Sequence, residues 1–177
     1  MNFEEKYKKE VVKELMKRRN HSSPLAVPKI MKITVNTGVG RVKEDKDREA
    51  IAKNLALITG QKLVARLAKK AIASFKTREG MTIGYSATLR GKRMYDFLTR
   101  LISVALARTR DFRGLSEKSV DEKGNMTIGI REHIVFPEII GEDVKNIFGL
   151  SVTLTTRARS RDEALEMYKL LGIPFQK

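Results

Sequence analysis

The residues IMKITVNT, positions 30–37, decide the fold. Successive side chains of an extended chain point to opposite faces, so Met31, Ile33 and Val35 share one side and Lys32, Thr34 and Asn36 the other. This alternation predicts a strand with one buried and one open face. Three later stretches repeat it. In 82–90, Ile83, Tyr85, Ala87 and Leu89 oppose Thr82, Ser86, Thr88 and Arg90. In 126–131, Met126, Ile128 and Ile130 oppose Thr127 and Arg131, and in 150–155, Leu150, Val152 and Leu154 oppose Ser151, Thr153 and Thr155. KLVARL at 62–67 predicts a further strand, whereas 69–81 has no clean period and reads as a basic loop.

Between and around these strands the period lengthens. Phe3, Tyr7, Val11 and Leu15 recur every four residues, with Asn2 and Glu5 as a capping pair, and this helix should end near Asn20 because Pro24 and Pro28 follow. Ile51, Leu55 and Ile58 mark a second helix closed by Gly60. Met94, Phe97, Leu98, Leu101, Ile102, Ala105 and Leu106 form a wide apolar stripe. Ala164, Leu165, Tyr168 and Leu171 form another, opening with a capping box, Ser160 to Glu163, and closing at Gly172 before Pro174. Strands and helices alternate irregularly. The expected fold is therefore α+β: a two-layer domain with a mainly antiparallel sheet of about five strands and helices packed on one face. Residues 1–177 read as one domain, without a repeat or linker.

The chain carries 36 Lys and Arg against 21 Asp and Glu, a net charge of +15. The net is +6 over residues 1–60, +10 over 61–118 and −1 over 119–177, so the middle third is the electrostatic footprint of a polyanionic partner. With no Cys there is no disulfide, thiolate nucleophile or Cys-type zinc site, which suits a reducing cytoplasm. No apolar run approaches the roughly 18 residues of a membrane span, and the charged opening MNFEEKYKKE does not match a signal peptide.

Catalysis has little to stand on. His21 and His133 are far apart, neither belongs to a ligand-spaced pair, and no Ser, His and Asp arrangement assembles locally. Gly38-Val39-Gly40 follows a strand as a dinucleotide fingerprint would, but Lys43 stands where the third Gly belongs. No cofactor, metal or small-molecule substrate is expected.

The open face of the strands is more informative. Lys32, Thr34, Asn36, Ser86, Thr88, Arg90, Thr127, Arg131, Ser151, Thr153 and Thr155 include no acid and no aromatic. Solvation of one sheet face would explain the alternation alone. Short hydroxyls and amides with a few cations also suit the phosphates and 2′-hydroxyls of A-form RNA, and the missing aromatics argue against a base-stacking platform. Lys69, Lys70, Lys76 and Arg78 surround Phe75, a pattern that fits either a backbone clamp or a solvated charge run. Arg108, Arg110 and Arg113 are donor forks for phosphate, unless Asp111 pairs one of them. The acids gather late, at Glu132, Glu138, Glu142 and Asp143 around FPEI, where a basic protein could meet them. A DNA-binding module is the rival reading, but the cations sit in loops and on a sheet rather than on a groove-reading helix.

VPKI (27–30), KITVNTGVG (32–40), GQK (60–62), TLRGKRMYDF (88–97), RDFRGLS (110–116), GN (124–125), FPEI (136–139) and PFQK (174–177) together resemble universal large-subunit ribosomal protein number five of bacterial type. The likeness runs nearly end to end in one order. It implies a protein that binds 5S rRNA and helps seat it in the central protuberance beside 23S rRNA. It also implies contact with the elbow of the P-site tRNA and with small-subunit ribosomal protein thirteen. The family's 5S rRNA surface falls on Asn36, Gln61, Thr88 and Arg90, its tRNA-facing loop within 70–80, and its intersubunit contact near 136–145. The chain departs from the family pattern at Ala107, at Met126 and after FPEI.

Overall fold

The computed structural model describes residues 3–42, 44–110, 112–139 and 147–176. Asn2 and Asp111 lie outside them. Among the described residues there are five strands, β1 (Lys29–Gly38), β2 (Val64–Leu67), β3 (Thr82–Leu89), β4 (Met126–Ile130) and β5 (Leu150–Arg157), in one antiparallel sheet of order β2-β3-β1-β5-β4. The helices are α1 (residues 3–19), α2 (Asp45–Thr59), α3 (residues 91–108) and α4 (Arg161–Leu171); α1 and α3 each contain one π-helical turn, Tyr7–Val11 and Leu101–Ala105. The α+β expectation holds.

The chain divides into two compact units. The first comprises Met1–Ile33, Leu89–Ile128 and Thr153–Lys177. Its core is built from the stripes of α1 (Phe3, Tyr7, Val11, Leu15), α3 (Met94, Phe97, Leu98, Leu101) and α4 (Ala164, Met167, Tyr168, Leu171), with Leu89, Met126, Ile128 and Leu154 from the strands. Side chains close the helix ends. Ser160 accepts from the Glu163 N–H, but the Glu163 carboxylate takes the Arg159 N–H at 2.7 Å rather than that of the cap residue itself. Lys6 Nζ donates to the Leu171 carbonyl at 3.0 Å, satisfying one of the orphan acceptors at the C-terminus of α4. Both arginines at the end of α1, Arg18 and Arg19, reach Glu166.

The second unit comprises Thr34–Thr88 and Gly129–Val152. Ile51, Leu55 and Ile58 of α2 are buried with Val35, Val39, Ala87, Ile130, Phe136, Ile139, Leu150 and Val152. Gly60, at φ 65°, ends α2 with its N–H on the Ala56 carbonyl. Thr37, on the buried side of β1, donates its hydroxyl to the Gly149 carbonyl at 2.7 Å, which allows a polar group to sit there.

Three local expectations need correction. Alternation puts Met31 on the buried side of β1, yet it is 45% exposed while Ile30 is buried; the pattern holds only from Ile33 onward. Ile83 is likewise exposed, and Ser86 is buried, because β2 pairs with β3 at the sheet edge and changes what covers this end of β3. Residues 69–81 are not an irregular loop. Ala68 N–H bonds Met81 O at 2.9 Å, Gly80 N–H bonds Ala68 O at 3.0 Å, and Ile72 and Thr77 exchange bonds of 3.0 and 3.1 Å. The segment therefore prolongs β2 and β3 as a hairpin. No helix among the described residues is long and apolar enough to cross a membrane.

Candidate RNA-binding surface

In the second unit, the turn after α2 sets Gln61 on β3, where its Nε2 donates to the Thr88 carbonyl at 3.3 Å. Asn36 is exposed, and Thr34, Thr88 and Ser151 are half-buried. Ser151 Oγ donates to the Asn36 carbonyl at 3.5 Å, tying neighbouring strands. Arg131, exposed, lies just beyond β4. Ser86 is only 4% exposed, so its hydroxyl faces a protein partner rather than solvent: it accepts from Arg66 Nε at 2.7 Å. Sequence reasoning missed Arg66. Alternation within KLVARL places it on the side of Val64, but only the pairing with β3 brings it over Ser86.

The hairpin displays the second group. Lys69, Lys70, Phe75, Lys76 and Arg78 are all exposed, and Phe75, at 74%, sits in the one-turn helix Ala73–Phe75 at the tip. Lys76 adopts the left-handed conformation, φ 51°, and its N–H bonds the Ala73 carbonyl, turning the chain back toward Thr77. Such a tip presents an aromatic ring and flanking cations on an ordered support.

The first unit carries the remaining residues. Lys32, Thr153 and Thr155 are half-buried, Arg90 and Thr127 exposed, and the Thr127 and Thr153 hydroxyls lie 3.2 Å apart. Arg90 is the N-cap of α3, ahead of Gly91 at φ 56°. Arg108, Arg110 and Arg113 are exposed. Next to Arg113, the Leu115 N–H bonds Pro174 O at 2.8 Å and the Gln176 N–H bonds Leu115 O at 2.9 Å, so the RDFRGLS segment is fastened to PFQK. Gly114 has no room for a side chain, since a Cβ would lie 2.7 Å from the Phe175 carbonyl carbon.

Of the acidic group, Glu138 is half-buried in the turn Pro137–Ile139, and Glu142 and Asp143 lie outside the described residues. Both histidine side chains are withdrawn from solvent. His133 is fully buried, stacked on Phe148 with ring centroids 3.9 Å apart, and burial pushes its pKa down. His21 Nε2 lies 3.1 Å from Glu163 Oε1, both side chains nearly buried.

Two family models match the chain. Residues 23–78 match "Ribosomal protein L5", and residues 82–175 match the model of the C-terminus of the same ribosomal family. The large ribosomal subunit protein uL5 of Halothermothrix orenii is 50% identical over 174 residues, which cover 98% of this chain and 97% of that protein. The large ribosomal subunit protein uL5 of Malacoplasma penetrans is 51% identical over 174 residues, covering 98% and 93%. Matches of this extent leave no element of the fold outside the likeness, and the chain belongs to the ribosomal protein L5 family in its bacterial form, a family of structural ribosomal proteins and not of enzymes.

Proposed function

We propose that this chain is a structural constituent of the large ribosomal subunit that binds 5S rRNA and helps attach it in the central protuberance. Family membership makes it a ribosomal protein with ribosomal RNA and the ribosome as its partners. The observation that carries the 5S rRNA assignment is the composition of the second unit's sheet: Thr34, Asn36, Gln61, Thr88 and Ser151 bring hydroxyls and amides to accessible positions. Among these side chains there is no carboxylate to repel phosphate, and their short polar groups match the 2′-hydroxyls and phosphates of an A-form groove. On the first unit, Lys32, Arg90, Arg108, Arg110 and Arg113 offer cations for ribosomal RNA, 5S and 23S rRNA included, the arginines as donor forks.

The ordered hairpin tip, with Phe75, Lys76 and Arg78 displayed and Lys69 and Lys70 behind, is suited to the elbow of the P-site tRNA, where a ring can lie on sugar or base while cations hold the backbone. The acidic stretch around Glu138, with Glu142 and Asp143 in the sequence, complements a basic protein and is assigned to small-subunit ribosomal protein thirteen. The ribosome of the cytoplasm is the proposed location. Residues 1–177 are read as one RNA-binding domain, since β1, β3, β4 and β5 each contribute residues to both compact units.

A binding assay comparing 5S rRNA with other structured RNAs at about 150 mM salt tests the assignment. Preference for 5S rRNA is expected, with affinity falling roughly 10³- to 10⁵-fold between about 50 and 200 mM salt if about six to ten phosphates are neutralised. Equal affinity for all the RNAs, or near independence of salt, would overturn it.

A further inference from the structure

We propose that Arg66 supplies a phosphate-binding cation to the 5S rRNA patch and that buried Ser86 is the positioning residue that aims it. The inference rests on the 5S rRNA reading of that patch. β2 and β3 are antiparallel with Val64 opposite Ser86 and Arg66 opposite Gly84, and directly opposed residues share a face. Ser86 is two residues from Thr88, so Arg66 projects on the side of the sheet that carries Thr88.

Ser86 itself is too buried to touch a ligand, at 4% exposure. Its hydroxyl instead accepts from Arg66 Nε at 2.7 Å, fixing the guanidinium near one end while the Nη1 and Nη2 hydrogens stay free of it. No carboxylate pairs with Arg66 among the described residues, so that donor fork is uncommitted. Free arginines on a surface sample many rotamers, and an arginine already held by its Nε loses less freedom when an anion arrives.

The residue opposite Arg66, Gly84, is buried where β1 and β3 approach closely. A Cβ on Gly84 would fall 2.8 Å from the Thr37 carbonyl oxygen, so the close approach of β1 and β3 requires glycine there. The same point is 3.9 Å from Gly38 Cα, and a Cβ on Gly38 would meet nothing within 4 Å.

The test measures 5S rRNA affinity across a salt series for the full-length protein and for Arg66→Ala, Arg66→Lys, Ser86→Ala, Thr88→Ala and the Arg66→Ala/Ser86→Ala double variant. Thermal unfolding of each variant is checked first. Arg66→Ala should weaken binding roughly ten-fold at about 150 mM salt, as loss of a charge-assisted contact does, and lower the slope of log affinity against log salt by about one. Arg66→Lys should keep the slope and lose part of the affinity, having the charge without the fork. Ser86→Ala should weaken binding about three-fold, leave the slope unchanged, and add nothing in the Arg66→Ala background.

Unchanged affinity and slope in Arg66→Ala, with Thr88→Ala weakened, would overturn the role of Arg66 and leave the patch standing. No change in either variant would instead overturn the patch reading. An undiminished Ser86→Ala effect in the absence of Arg66 would remove the positioning role. Because Arg66 lies on the surface, its variants decide the first question even if Ser86→Ala folds poorly.

Discussion

Tyr168 on α4 donates its phenolic hydrogen to the carbonyl of Gly124 at 2.9 Å, joining a helix to the turn that precedes β4. The Thr156 hydroxyl reaches the same oxygen at 2.8 Å. Gly124 has φ 80°, and a Cβ there would fall 2.6 Å from that of Ala164. Gly124→Ala meets both a backbone penalty and a collision with the base of α4, so it should lower unfolding free energy by about 2–4 kcal/mol. Tyr168→Phe leaves the carbonyl with its Thr156 partner and should cost about 1 kcal/mol. Urea denaturation of the two variants checks the order.

His133 gives the stability a pH dependence with a definite sign. Burial against Phe148 lowers its pKa, so below about 6.5 the unfolded chain binds a proton that the folded state resists. Its contribution is fully present above that value and is lost as pH falls through the region beneath it. The midpoint of urea unfolding should therefore decline on acidification from about pH 7 to about pH 5, and His133→Phe should flatten part of that decline. An identical slope in the variant would show that other groups set it.

Phe75 is exposed and makes little contribution to the core, so Phe75→Ala should change stability by no more than about 0.5 kcal/mol. Ribosomes reconstituted with that variant should hold P-site tRNA less firmly, by about 1–3 kcal/mol if the ring stacks on a base. Wild-type tRNA retention would remove the ring from the contact.

Asn36→Ala and Thr88→Ala should each weaken 5S rRNA binding by about 1–3 kcal/mol, the cost of leaving a polar partner unpaired in the interface. Neither side chain belongs to the buried core, so the variants should fold. Filter binding with matched circular dichroism spectra separates the two effects.

Much of this was legible in the sequence, and the failures share a physical origin. Period-two alternation is a local property, and it locates four strands and the faces of β4 and β5 well. What covers a strand is not local. Ser86 lies on the face that alternation gives it, yet the side chain of Arg66 from another strand seals it. Met31 belongs to the entry of β1, where Ile30 already occupies the core and the alternating phase begins only at Ile33. The basic hairpin carries no hydrophobic period, because its order comes from backbone bonds between Ile72 and Thr77 and from a left-handed Lys76. The capping box at Ser160 is visible as residue types, but the carboxylate takes the Arg159 N–H. Gln61 enters the site through family likeness alone, since only the turn at Gly60 brings it to Thr88.

β2 stands at one edge of the sheet with all four residues exposed, Val64 and Leu67 among them. Such an edge invites another copy of the chain to add its own strand, a hazard for any protein made before its RNA is at hand. Here the strand is short, its register slips between Arg66 and Leu67, and Lys62, Lys69 and Lys70 bracket it. Two such edges brought together would set like charges against each other along an irregular ladder. Lys69 and Lys70, proposed to hold RNA, thereby also stand where like-charge repulsion disfavours edge-to-edge pairing of the uncomplexed protein.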